Sequence, residues 1–248
     1  MKRVFQAVCD FFFPPRCAVC GELLAHKNGN RAMCHLCYEK YRTEIQAGCA
    51  VCGRAYVNCI CRPRMFLPDD LVFALPYNKM DGICRQLVLA CKNRKNANAL
   101  AELADAAVSA AQKRGILTEN ALVTFVPRSP EKKIRTGVDQ AEELAKAVAK
   151  RTGLPFYSLL ARQNTGTEQK MLNPSRRKEN ADNAYSLLPY PLKRIQGATI
   201  LLLDDVVTTG ATVNACTVLL KEAGAARVIC LAAAKSIKSY RESMRHPH

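Results

Sequence analysis

Residues 200–212 read Ile-Leu-Leu-Leu-Asp-Asp-Val-Val-Thr-Thr-Gly-Ala-Thr, and no other stretch constrains the fold as tightly. A continuous aliphatic run bounded by turn signals is what a parallel strand covered on both faces looks like. Here the run ends in two carboxylates, Asp204 and Asp205, and then passes through a small hydroxyl-rich loop. A helix follows, with Val213, Cys216, Leu220 and Ala223 forming an apolar stripe that stops at Gly224. Strand, acid pair, loop and helix in this order predict an α/β fold with a ligand site at the carboxyl end of the strand.

The first amides of such a helix form an anion site, and Gly210 lets a phosphate approach the backbone closely. Two acids beside a phosphate cradle are reconciled by a sugar phosphate. Asp204 and Asp205 accept from ribose hydroxyls, while Val207, Thr208, Thr209, Gly210, Ala211 and Thr212 hold the 5′-phosphate. The plainer account, in which the acids only cap the next helix, leaves the loop composition unexplained.

A second constraint lies at the other end. Eight cysteines follow the pattern Cys17-x2-Cys20-x13-Cys34-x2-Cys37-x11-Cys49-x2-Cys52-x6-Cys59-x-Cys61. Four two-thiolate clips supply two tetrahedral four-thiolate sites, and closed sites of that kind are structural zinc sites. Gly21 and Gly53 follow the first and third clips, where a knuckle turns tightly. Large apolar residues are few between the ligands, so metal would supply the folding energy of this segment. Sequential and interleaved pairings of the clips are both open, with His26 and His35 as spare ligands. Cys9, Cys84, Cys91, Cys216 and Cys230 lack clip spacing and read as ordinary thiols.

Between these ends, Leu71–Leu75 reads as a strand, followed by helices over about 82–91 and 100–111. Residues 121–126 form a further strand that ends at Pro127-Arg128-Ser129-Pro130, a turn whose cation suits a pyrophosphate loop. Lys92, Arg94 and Lys95 read as solvated, with a place facing phosphates as the alternative. A basic run (Lys132, Lys133, Arg135) leads to a helix over 140–151, a short strand follows near 156–160, and strand character returns at Tyr185-Ser186-Leu187. The polar segment 162–183, with Gln169, Lys170, Arg176, Arg177 and Lys178, has the chemistry of a lid over pyrophosphate. Residues 225–233 give the last strand.

The 248 residues divide into a cysteine-rich double ribbon at 1–65 and a larger α/β domain at 66–248. The formal charge of +16 suits phosphorylated or nucleic-acid partners. Zinc in both sites would lower it to about +12. Gln6 and Asp10 interrupt the apolar lead at 1–13, and no small-residue cleavage site follows, so the expected location is the cytoplasm. Absence of Trp and the low aromatic content argue against a sequence-specific reader of single strands.

Asp204-Asp205 through Thr212 resembles the phosphoribosyl pyrophosphate (PRPP) motif of type I phosphoribosyltransferases. With Phe13-Pro14-Pro15-Arg16-Cys17-x-x-Cys20-Gly21, the cysteine clips and Val126-Pro127, the chain resembles the ComF family of competence-associated phosphoribosyltransferase-like proteins. Gln169, Leu172, Arg176 or Arg177, and Asn180 are similar to that family's Gln-x-x-Leu…Arg-x-x-Asn segment. Where the family has Arg-Gly-Phe-Asn-Gln, this chain has Thr136-Gly137-Val138-Asp139-Gln140, with an arginine at 135 instead. The resemblance implies a phosphoribosyltransferase-like, mainly parallel sheet flanked by helices, and PRPP with Mg²⁺ as ligand. Asp204, Asp205 and Arg128 would be catalytic, with Pro127 and the 207–212 loop in the binding site. It also implies handling of incoming single-stranded DNA in natural transformation, alongside a competence helicase. A DNA-binding protein without turnover and a nucleobase-salvage enzyme are the alternative functions.

Overall fold

The computed structural model describes residues 14–24, 32–94, 96–163, 184–189 and 192–237. Cys9, His26 and most of the segment read as a lid, including Gln169 to Asn180, lie outside them. Four parallel strands form the main sheet: β1 (Asp70–Tyr77), β2 (Ala121–Phe125), β5 (Thr199–Val207) and β6 (Arg227–Ser236), in the order β1-β6-β5-β2. Two short strands, β3 (Leu160–Arg162) and β4 (Tyr185–Leu187), pair antiparallel in a separate sheet. Pro76 falls on β1, an edge strand, where a missing N–H is tolerated.

The central strands are apolar throughout because both faces are covered, and alternate side chains serve different layers. Leu201 and Leu203 of β5 join one core with Leu87, Leu103 and Leu144 from α2 (Ile83–Arg94), α3 (Ala97–Lys113) and α5 (Gln140–Thr152). Ile200 and Leu202 join the other, with Val213, Cys216 and Leu220 from α6 (Ala211–Glu222). The sheet is thus sandwiched between helices, with α6 crossing from β5 to its neighbour β6.

The expected strand near 156–160 resolves into two features. Phe156 makes a parallel bridge to Val123, and the strand itself runs 160–162 in the small sheet. Two helices go beyond what the sequence pattern predicts. The first is α1 (His35–Gln46), which connects the cysteine clips; the second is α4 (Pro130–Thr136), in the basic run after β2. Proline at its first turn and Gly137 with φ 71° just past its end are ordinary helix punctuation, hidden by the density of charge.

The cysteine-rich segment packs onto the sheet domain. Cys17, Cys34, Cys37 and Tyr41 belong to the core of the α2/α3/α5 layer, whereas Cys49, Tyr56 and Cys59 belong to the core of the α6 layer. Glu44 of α1 accepts from the backbone N–H groups of Ile83 (2.7 Å) and Cys84 (3.2 Å), capping α2. Among the described residues no helix is long and apolar enough to cross a membrane.

Candidate functional site

Strand β5 carries Asp204 and Asp205 to its carboxyl end, and the two acids meet different surroundings. Asp205 turns to the α2 layer. Its Oδ2 stands 2.9 Å from Lys92 Nζ, at the end of α2, and 2.6 Å from Arg128 Nη2, in the loop after β2. Burial would raise the Asp205 carboxyl, but Lys92 and then Arg128 outweigh it and hold it below the usual range. On the α6 side, burial first and then the nearby Asp204 raise the thiols of Cys216 and Cys230. Burial, reinforced by the charge of Asp205, pushes the Asp204 carboxyl well above its ordinary value. One acid is therefore ionised and one prone to protonation, a pair that titrates as a unit.

Both cations are held from behind. Buried Asp139 caps α5 through Ala141 N–H (3.2 Å), and its other oxygen accepts the backbone N–H of Arg128 at 2.9 Å. Gln140 Nε2 donates to the carbonyl of Lys92 at 3.2 Å. Asp139 stands where the resemblance expects Asn, and either side chain suits an N-cap. Sequence reading left Lys92 out of the site residues, because one of several cations at a helix end looks solvated before it looks phosphate-facing. Asp139 as a helix-capping acid was the available signal for the support beneath Arg128. The side chain of Arg135 lies outside the described residues.

Beyond Val207 the chain turns through Thr208 and Thr209, both exposed, to Gly210. Gly210 has φ 81° and caps α6 without a side chain, so the first amides of the helix have no intrahelical acceptor. Ala211 N–H points to Thr209 Oγ1 at 3.4 Å. Tyr185 of β4 stands beside α6, and its hydroxyl accepts from Arg162 Nη1 at 3.0 Å. Pro127 is buried immediately before Arg128. The structure thus gathers Asp204, Asp205, Pro127, Arg128 and the 207–212 loop at one end of the sheet.

The eight clip cysteines form two groups: Cys17, Cys20, Cys34 and Cys37, and Cys49, Cys52, Cys59 and Cys61. Within each group all sulfurs lie within 4.8 Å of one another, which settles the pairing as sequential. Separations are 3.8 Å for Cys20–Cys34, 4.0 Å for Cys49–Cys61 and 3.7 Å for Cys52–Cys59. A disulfide needs about 2.05 Å. A tetrahedral ion with metal–sulfur bonds of about 2.3 Å gives edges of about 3.8 Å, so both groups can hold a metal ion. His35 is exposed on α1 and belongs to neither group. Cys84, Cys216 and Cys230 are buried core thiols.

A family described as the phosphoribosyl transferase domain matches residues 135–247. The solved glutamine PRPP amidotransferase from B. subtilis, complexed with ADP and GMP, is 22% identical, with a TM-score of 0.39. That match covers 58% of this chain and 26% of the amidotransferase. Competence protein ComFC of Streptococcus pneumoniae (strain ATCC BAA-255 / R6) is 35% identical over 104 residues, 40% of this chain and 41% of that protein. Competence protein F of Haemophilus influenzae (strain ATCC 51907 / DSM 11121 / KW20 / Rd) is 27% identical over 228 residues, 86% and 93% of the two chains. The matched stretch thus spans less than half of the pneumococcal relative. Parallel sheet, flanking helices and domain match define a type I phosphoribosyltransferase-like protein. Beyond that domain, the chain is similar to two competence proteins, one of them along most of its length.

Proposed function

We propose that this protein binds Mg-PRPP and carries phosphoribosyltransferase-type chemistry, on a domain spanning 66–248 supported by a double zinc ribbon at 1–65. One observation carries the reading: the acid pair at the end of β5 runs directly into a glycine-turned helix N-terminus, with Lys92 and Arg128 converging on Asp205. Residues 207–212 would take the 5′-phosphate, and Asp204 and Asp205 the ribose hydroxyls. Pro127 fixes the start of the loop carrying Arg128. Arg128 and Lys92 would face the pyrophosphate, whose charge Mg²⁺ carried in with the substrate would help neutralise.

As the C1–oxygen bond to pyrophosphate breaks and an acceptor's nucleophilic atom bonds to C1 in its place, positive charge grows at C1 of the ribose, and the neighbouring carboxylates favour it. The cations that now share Asp205 would turn to the departing anion. No protein nucleophile is required; positioning and exclusion of water suffice. Four-cysteine coordination and sulfur spacing support zinc in both ribbon sites, in a structural role.

Calorimetric titration of Mg-PRPP into the metal-loaded protein tests the reading, with the Asp204→Asn/Asp205→Asn double variant as control. Binding in the wild type that the variant loses supports it; no binding to the folded wild type sinks it.

A second reading, contact with single-stranded DNA during uptake, is favoured by a cavity of about 120 Å³ beside the β1 edge. Arg54, Asn58, Lys113 and Arg114 line it. Phosphate-backbone contacts there predict binding that weakens steeply with salt and with Arg54→Ala/Lys113→Ala. A competence helicase would be the natural partner in that role, in the cytoplasm.

A further inference from the structure

From Cys61, the last ligand of the second cluster, the chain runs straight onto the candidate phosphate loop. A Cβ placed on Gly210 would lie 2.9 Å from Phe66 Cδ2 and 3.5 Å from Pro63 Cγ, so ring and loop are in close contact. Asn214, in the first turn of α6, grips the same segment with both ends of its amide. Its Nδ2 donates to the Met65 carbonyl at 2.6 Å, and its Oδ1 accepts the Leu67 N–H at 2.9 Å.

The far end of the segment is also tied. Arg62 Nη1 donates to the Asp69 carbonyl at 3.0 Å, and the Asp69 carboxylate binds Val228 N–H and Lys221 Nζ, each at 2.7 Å. Cys59, Val207 and Val213 are buried in a single apolar cluster, with Cys52, Cys61 and Phe66 packed against it, so contact from cluster to loop is unbroken. The first cluster belongs to the core on the opposite face of the sheet.

A loop that binds phosphate through its backbone must have its N–H groups aimed before the ligand arrives. Gly210 supplies no side-chain cap, and the residues before it are exposed. Within the loop only the long Ala211 N–H to Thr209 Oγ1 contact and the Asn214 N–H to Gly210 carbonyl bond help fix the turn, and residues 63–67 add packing from outside.

We infer that Phe66 and Asn214 are positioning residues, through which the metal bound by Cys49, Cys52, Cys59 and Cys61 sets the shape of the 208–212 loop. The consequence for PRPP affinity rests on the function proposed above; the coupling of cluster to loop does not. Metal status at one ribbon thereby governs the sugar-phosphate site, while the other ribbon supports the opposite layer.

Amide hydrogen exchange on the full metal-loaded chain tests this directly. Phe66→Ala and Asn214→Ala should raise exchange over 208–214 by about tenfold, with β1, α3 and metal content unchanged. Cys61→Ser should raise it as well, whereas Cys20→Ser, in the first cluster, should leave this loop at the wild-type rate. Wild-type exchange in both folded Phe66→Ala and Asn214→Ala, or an equal loop response to Cys20→Ser, overturns the inference. Mg-PRPP titration of the same proteins separates the two ideas. Faster loop exchange without PRPP binding in the wild type keeps the coupling and removes the substrate. PRPP binding with an unaltered loop in the clamp variants keeps the substrate and removes the coupling.

Discussion

The Lys92 ammonium stands 2.9 Å from the Asp205 carboxylate, on the same oxygen that Arg128 reaches at 2.6 Å. Two cations sharing one carboxylate leave local positive charge facing a phosphate loop, and both are steered by buried neighbours, Asp139 and Gln140. Lys92→Met should therefore weaken Mg-PRPP and pyrophosphate binding about ten- to a hundredfold, the scale of one charge-assisted hydrogen bond. Salt dependence of binding should also become shallower. Unchanged affinity by calorimetry would remove Lys92 from the site.

The two acids of β5 should respond oppositely to neutralisation. Asp205 has its folded pKa lowered, so its stabilisation is present above the unfolded value of about 3.9 and is lost as pH falls through the folded one. Asp204 has its folded pKa raised, so its cost appears as pH rises above the unfolded value and is complete beyond the folded one. At neutral pH, Asp205→Asn should cost about 1–2 kcal/mol, allowing for solvent at the partly exposed cations. Asp204→Asn should leave the ligand-free protein as stable or more so, with any gain vanishing towards about pH 3. Melting curves across that range decide it; greater destabilisation by Asp204→Asn at pH 7 would contradict the assignment.

Glu44 belongs to the cysteine-rich segment yet caps a helix of the sheet domain, through Ile83 N–H at 2.7 Å and Cys84 N–H at 3.2 Å. A carboxylate at a helix N-terminus satisfies orphan donors and opposes the dipole. Glu44→Ala should cost about 1–2 kcal/mol in a denaturant titration. Gly82→Ala should also destabilise, since φ is 108° and the new Cβ would lie 2.5 Å from Glu44 Oε1. A midpoint unmoved by Glu44→Ala would mean that the cap adds nothing to the joint between the two parts.

Residues 200–212 made the central strand, its acids and the loop legible, because aliphatic continuity and a glycine turn are local signals. The clip spacing made the cysteine groups legible but not their pairing, which depends on how α1 spans the gap between Cys37 and Cys49. Lys92 and Asp205 meet only after α2 packs on β5, and nothing local distinguishes Lys92 from neighbouring cations. The clamp of Asn214 on Met65 and Leu67 joins residues far apart in sequence, so it emerges only from the packed fold. Helix α4 was obscured because its charged run carries no apolar period.

Metal content and its removal bear on both ribbons. Each cluster brings four sulfurs within 4.8 Å, and without an ion such neighbours either repel as thiolates or must bind protons. Elemental analysis of reduced, chelator-free protein should give two zinc ions per chain, and clearly fewer would break the double-ribbon assignment. Acidification should release the metal, because protons compete for the thiolates. Stripping it should lower the melting temperature by more than about 10 °C, since structural zinc carries much of a small module's folding free energy. Damage should also reach the sheet domain, because Cys17, Cys34 and Cys37 pack in one of its cores and Cys49 and Cys59 in the other. Exchange protection lost on both faces of the sheet is the expected signature of complete stripping. Protection unchanged in β1 and β5 after both ions leave would show that the clusters hold only themselves together.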